Sequence, residues 1–199
     1  MIAIVVLAAG SSERMGQPKQ LLPWGQTTLL GHAVNVALAS AADRVVVILG
    51  YQAETFREAL ADRPMRVVIN QEWATGLASS VRAGLATVPD AEAVVFLPTD
   101  QPRVTPALVD RVIATYRATG QPIVMLRCGD RRAPPALFAR AMFPALQNLT
   151  GDQGGRALVD AHADQVAWVD LDEDDAACLA DVDTPADYAV LLHVEQDLG

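Results

Sequence analysis

Short, almost uninterrupted runs of Val, Ile and Leu alternate along this chain with longer segments whose apolar residues recur at helical spacing. Residues 2–7, 44–49, 67–69, 93–97 and 122–126 form the runs, and residues 28–39, 53–60, 77–87 and 106–119 the amphipathic segments. An apolar run without polar alternation is a strand buried on both faces, the mark of a parallel sheet covered by helices. The repeated order predicts a three-layer, doubly wound α/β sheet, mostly parallel, with right-handed crossovers. Beyond residue 130 the pattern is less regular. There, residues 137–149, 155–162 and 186–194 read as helices and 166–171 as a strand. Gly50, Gly120 and Gly151 punctuate element ends, and the acidic run 170–175 reads as a solvated loop. With no internal repeat or linker, residues 1–199 are expected to form a single domain.

Charge and composition exclude several classes. The formal net charge of −9 argues against a nucleic-acid surface, which needs a basic face. No apolar run approaches the ~20 residues that span a bilayer. The first run lacks a basic leader and passes straight into a glycine-rich loop, so it reads as a strand and not as a signal peptide. Cys128 and Cys178 are far apart with no CxxC pairing, which fits reduced thiols in a cytoplasmic protein.

The loop after the first strand carries the chemistry. Residues 7–19 combine small residues, two hydroxyls, Gly10 and Gly16 with the cations Arg14 and Lys19. Small residues let a backbone approach a ligand closely, and the cations suit phosphate oxygens. The spacing excludes a Walker A loop, since Gly16 is followed by Gln17 and Pro18. It also excludes a dinucleotide fingerprint, because Gly10 and Gly16 are six apart and no acidic residue ends the second strand. An ordinary connector with surface charges is the bland alternative, but it would more often be shorter. Two further polar segments, 70–80 and 98–102, also follow predicted strands. All three should meet at the carboxyl edge of the sheet, where open α/β sheets bind ligands.

The string Leu7-Ala8-Ala9-Gly10-x-Ser12-x-Arg14-Met15-Gly16-x-x-Lys19-x-Leu21-Leu22-Pro23 resembles the signature of the MobA-like NTP transferases, and within them the molybdenum cofactor cytidylyltransferases. Four more motifs follow in the family's order: Asn70 with residues 76–84, Asp100-Gln101-Pro102, residues 149–156, and residues 181–188. The resemblance implies a Rossmann-like fold of the nucleotide-diphospho-sugar transferase type. It implies attack by an acceptor phosphate on the α-phosphorus of CTP with loss of pyrophosphate, Mg²⁺ as metal and molybdenum cofactor as acceptor. A molybdoenzyme could receive the product.

On that resemblance the nucleotide lies against Leu7, Ala8, Ala9, Gly10, Ser11, Ser12, Arg14 and Lys19, with Asn70, Gly76, Ser79 and Ser80 reading the base. Arg14 would hold the triphosphate and Lys19 would sit near the α-phosphate. Asp100 and Asp183 are the expected metal ligands, since two carboxylates plus substrate phosphates commonly hold Mg²⁺. Each has a plain alternative, a turn former at Asp100 and a helix cap at Asp183. Asp181 and Asp187 read as helix charge and solubility. Gly154, Gly155 and Arg156 are the acceptor-side candidates. His32, His162 and His193 show no ligand spacing, and Trp24 and Trp73 read as core or rim. Transfer of this kind needs alignment and charge neutralisation more than a covalent nucleophile, which fits a chain without a triad. One departure stands out. Many relatives carry a Gly-His-Pro element before a strand ending near Phe138, and here Ala133 and Pro134 take the glycine and histidine positions. That leaves open another phosphorylated acceptor. Ala-Ala-Gly at residues 8–10 favours the cytidylyl branch over GTP. A non-catalytic nucleotide carrier is the reading from a different class.

Overall fold

The computed structural model describes residues 1–61, 63–172 and 175–197, the last four of these by backbone only. Glu173 and Asp174 of the acidic run thus lie outside the described residues. The core is a seven-stranded sheet in the order β5-β4-β1-β6-β8-β7-β9. Its strands are β1 (Ile2–Ala8), β4 (Arg44–Leu49), β5 (Arg66–Ile69), β6 (Ala93–Pro98), β7 (Ile123–Cys128), β8 (Arg131–Ala139) and β9 (Val166–Asp170). All neighbours pair in parallel except at β8, which runs antiparallel to both β6 and β7. A two-stranded hairpin, β2 (Pro23–Trp24) with β3 (Thr27–Thr28), stands apart from the sheet.

Each face of the sheet has its own core. Along β1, Ile2, Ile4, Val6 and Ala8 pack into one, beneath α1 (Leu29–Ala39), α2 (Ala53–Ala59) and α4 (Pro106–Thr119). Ala3 and Val5 pack into the other with Leu7 against it, beneath α3 (Leu77–Thr87), α5 (Phe143–Gln147) and α6 (Arg156–Ala161). The continuous apolar runs thus divide by strand alternation between two helical layers. The helices start where the chemistry dictates. Thr28 and Thr105 cap α1 and α4 by accepting the Gly31 and Leu108 N–H groups, Pro106 opens α4, and Gly120 ends it in the left-handed region.

The helix expected over 137–149 is corrected. Residues 137–139 end strand β8, a 3₁₀ turn follows at Arg140–Met142, and the α-helix is confined to Phe143–Gln147. Leu137 belongs to one core and Phe138 to the other, the alternation of a strand. Charges and two prolines in its first half hide this strand from periodicity. The closing helix, α7 (Pro185–Asp197), packs Leu191 with Met15, Leu22, Trp24, Leu29 and Val182 into a third small core.

Candidate active site

Strands β4 and β5 lie on one side of β1 and β6 lies on the other, so the chain reverses its winding between β1 and β6. A cleft of about 960 Å³ opens at the carboxyl ends of those strands, at the switch point where open α/β sheets bind ligands. Leu7, Ala9, Gly10, Ser11, Ser12, Arg14, Lys19, Gly76, Ser80, Asp100, Asp183, Gly154, Gly155 and Arg156 all line it. Ala8, Asn70 and Ser79 do not: Ala8 points into the opposite core, and the other two lie behind the wall.

Beyond β1 the loop makes few bonds of its own. The backbone N–H groups of Gly10, Ser11 and Ser12 find no acceptor among the described residues. Ser12 sits in the left-handed region at φ 60°, an uncommon state for a non-glycine residue. Successive unpaired N–H groups in such a turn form an anion-binding concavity. Met15 anchors the far end of the loop in the third core. Gln20, 3% exposed, ties the loop from below. It donates from Nε2 to the Gly10 carbonyl (2.8 Å) and accepts from Ser12 Oγ (3.1 Å).

Where the loop's cations meet the segments of Asp100 and Asp183 stands a charge cluster. Lys19 Nζ donates to Asp100 Oδ2 (2.9 Å), to the Val182 carbonyl (2.9 Å) and to Asp183 Oδ1 (3.1 Å). Its three ammonium protons are thereby all used, and its side chain is only 15% exposed. Arg14 Nη2 lies 3.1 Å from Asp183 Oδ2, with most of its side chain in solvent. Two carboxylates from distant segments therefore converge on one point, which Lys19 fills. The Asp100 carbonyl accepts the Val182 N–H at 2.7 Å, which fixes the two carboxylate-bearing segments together. Two oxygen donors of this kind suit a hard divalent cation completed by phosphate and water. No group of three or more His, Cys, Asp or Glu side chains fit for a metal occurs among the described residues.

Asp181 differs from the expectation of a solvating residue. It lines the cleft, accepts from Gln101 Nε2 (2.8 Å) and lies 3.9 Å from Arg131. Burial raises its carboxyl pKa, the Gln101 bond offsets part of this, and neighbouring Asp100 adds to the rise.

Asn70 is buried beneath the wall. Its Oδ1 accepts the Glu72 N–H, while Nδ2 donates to Ser79 Oγ (2.7 Å) and Ser80 Oγ (3.1 Å). Ser79 passes its own proton to the Gly76 carbonyl. Gly76 has φ 107°, and a Cβ there would fall inside the Gly151 backbone, so only glycine fits. The Gly151 carbonyl accepts the Ala78 N–H (3.0 Å) and the Leu149 carbonyl accepts from Arg82 Nη1 (2.7 Å). The start of α3 and the loop around Gly151 are thus one packed unit.

That side of the cleft has an apolar floor of Phe96, Met125 and Phe138, with Arg131, Arg132 and Arg156 also among its lining. A Cβ on Gly155 would strike the Phe138 ring at 2.5 Å, so the floor depends on that glycine. Ala133 and Pro134 line the same side. Gln20, Asp181 and Arg131 were not among the expected site residues. Asp181 opens the motif at residues 181–188, whereas Gln20 and Arg131 match no motif position and reach the cleft only through tertiary packing.

Residues 4–166 match the MobA-like NTP transferase domain. The chain belongs to that family. Its similarity to the nicotine blue oxidoreductase of Paenarthrobacter nicotinovorans is 31% identity, covering 90% of this chain and 91% of that protein. The molybdenum cofactor cytidylyltransferase of Escherichia coli K12 is 28% identical over 94% of this chain and 93% of its own. Among solved structures, Rv0371c from Mycobacterium tuberculosis H37Rv superposes with a TM-score of 0.85 at 37% identity, covering 96% of this chain and 97% of that one. A complex of Rv0371c with manganese is also similar, with a TM-score of 0.82. The chain is accordingly a nucleotidyltransferase of the MobA-like type, with the Rossmann-like fold of such enzymes. No helix among the described residues is long and apolar enough to cross a membrane.

Proposed function

We propose that this enzyme transfers CMP from CTP to the phosphate of a molybdopterin-type acceptor, releasing pyrophosphate. The observation that carries the reading is the pairing of unbonded loop N–H groups with two carboxylates joined across Lys19, both on one cleft. In this reading Gly10, Ser11 and Ser12 cradle the β- and γ-phosphates and Arg14 neutralises them. Lys19 leaves its carboxylates for the α-phosphate, where charge is redistributed in the transition state. Asp100 and Asp183 would hold Mg²⁺, which when bound supplies charge neutralisation of the triphosphate; a relative solved in complex with manganese supports a divalent ion as the partner of this chemistry. Ser80 reads the base. Its Oγ already accepts from Asn70, and its proton has no acceptor among the described residues, so it is set as a donor. Cytosine presents acceptors at O2 and N3, whereas guanine presents donors at the corresponding N2 and N1 and keeps its one acceptor at O6. Ala9 narrows the same slot with a methyl group, an effect of about 1–3 kcal/mol against a larger base. A carboxyl-side acceptor site at Gly154, Gly155 and Arg156 completes the assignment.

A second reading keeps the chemistry and changes the acceptor. The apolar, proline-stiffened segment at Ala133 and Pro134 favours it, since it offers fewer hydrogen-bond donors than a Gly-His-Pro element. Pyrophosphate release is measured with CTP, GTP, ATP and UTP against molybdenum cofactor and a panel of phosphorylated acceptors. Turnover with CTP and molybdenum cofactor supports the first reading, and turnover only with another acceptor supports the second. Asp100→Ala should abolish turnover while leaving most CTP affinity intact. Equal losses in both would instead indicate a nucleotide carrier.

A further inference from the structure

Gln20 is a buried polar residue of this cleft that the transfer chemistry leaves unused. We infer that Gln20 is a positioning residue that aims the phosphate cradle, through Gly10 and Ser12. This rests on the reading of the loop as a triphosphate cradle.

The amide orientation is fixed by chemistry, because the Gly10 carbonyl can only accept and must face Nε2. Oε1 is thereby turned to Ser12 and takes its hydroxyl proton. One side chain thus grips both ends of the Gly10–Ser12 turn. In a trans peptide the carbonyl of Gly10 and the N–H of Ser11 point in opposite directions. Drawing the carbonyl down onto Gln20 therefore aims the Ser11 N–H away from it, and that N–H has no acceptor among the described residues. The same grip holds Ser12 at its left-handed φ, a strained conformation for a non-glycine residue that persists only where its surroundings enforce it. Without Gln20 the Gly10 peptide is free to turn over and present its carbonyl oxygen to the anion. Gln20 itself need not touch the ligand. At 3% exposure it is held below the turn as part of the floor.

The test separates the cradle from the rest of the site by using inorganic triphosphate and cytidine as separate probes. Gln20→Leu keeps the size and burial of the side chain and loses both bonds. It should weaken inorganic triphosphate binding about tenfold by calorimetry, with cytidine binding unchanged. Ser12→Ala removes only the hydroxyl bond and should give a smaller loss in the same direction. Thermal melts check that each variant is folded. If Gln20→Leu binds triphosphate as the wild type does, the positioning role is wrong. A loss shared equally by cytidine and triphosphate also overturns it, since a merely structural residue would act that way. If the wild type binds neither inorganic triphosphate nor CTP, the cradle itself fails and takes this role with it. A preference for GTP over CTP with the triphosphate loss intact rejects only the cytidylyl reading.

Discussion

Lys19 holds the two cluster carboxylates together. Its ammonium satisfies Asp100 and Asp183 together, at 2.9 and 3.1 Å. A divalent cation bound to the same carboxylates would compete with it for the same oxygens, and the two positive charges would repel. Free metal should therefore bind weakly until a triphosphate draws Lys19 away. Lys19→Met removes the charge and keeps the stem. Mn²⁺ affinity of the nucleotide-free variant, followed by electron paramagnetic resonance, should rise about tenfold over the wild type, while transfer activity falls. Unchanged Mn²⁺ affinity would show that Lys19 does not stand in the metal's place. Residue identity alone told part of this. The types Lys19, Asp100 and Asp183 pointed to phosphate and metal chemistry, but nothing in the sequence says that the ammonium bridges the two carboxylates. That follows from three segments meeting at one sheet edge.

At the scale of the element, α7 shows a helix start doing two tasks. Thr184 Oγ1 accepts the Asp187 N–H (3.3 Å), and Asp187 Oδ2 accepts the Thr184 N–H (2.8 Å), a reciprocal cap. Asp187 Oδ2 also accepts the Asp183 N–H at 3.2 Å, so the cap steadies a cluster carboxylate. The expectation that Asp187 serves helix charge thus falls short of its reach. Thr184→Ala should cost about 1 kcal/mol of stability. The Thr184 bonds hold the Asp187 carboxyl below its ordinary value of 3.8. A carboxyl lowered in the folded state stabilises above the unfolded value, and that contribution is lost as pH falls through the folded one. The melting-temperature gap between wild type and Asp187→Asn should be constant near neutrality and close below pH 3.8. A gap that persists in acid would show that the carboxylate charge is not what the cap uses. The elements of the first half were legible because their strands are continuous apolar runs; α3 and α4 fall at the expected residues 77–87 and 106–119. Strand β8 was legible only through the resemblance, which puts a strand end near Phe138, since Arg131, Arg132, Pro134 and Pro135 break both the apolar run and the alternation that would mark it. The hairpin β2–β3 is two residues per strand, too short to carry a period.

Across the whole molecule the proposed nucleotide and acceptor sides of the cleft are joined by α3 and the segment at 149–155. Gly76 abuts Gly151, Ala78 donates to the Gly151 carbonyl, and Arg82 reaches Leu149. The five sequence motifs gave the order of these segments without their mutual contacts, so the coupling could be seen only in the fold. Arg82 is the member of this joint that can be removed without touching the cleft, because it lies two residues beyond Ser80, about half a turn round α3, and lines none of it. Its Nη1 holds the Leu149 carbonyl at 2.7 Å, and its companion contact to Glu72 is long, at 3.8 Å. Arg82→Ala should therefore loosen the acceptor-side loop and cost about 1 kcal/mol of overall stability. Amide hydrogen exchange should speed up over residues 150–155 and stay unchanged over 10–16, since the phosphate loop is anchored separately by Gln20 and Met15. CTP affinity should hold within about twofold, because the contacts proposed for it lie on the loop and on Ser80 and not on residues 149–155. If exchange instead rises equally on both sides of the cleft, the two halves form one cooperative unit. Acceptor specificity could then not be altered without disturbing nucleotide binding. If it rises on the acceptor side alone, that segment can vary independently, which is how one nucleotide-binding frame can serve relatives that differ in what they act upon.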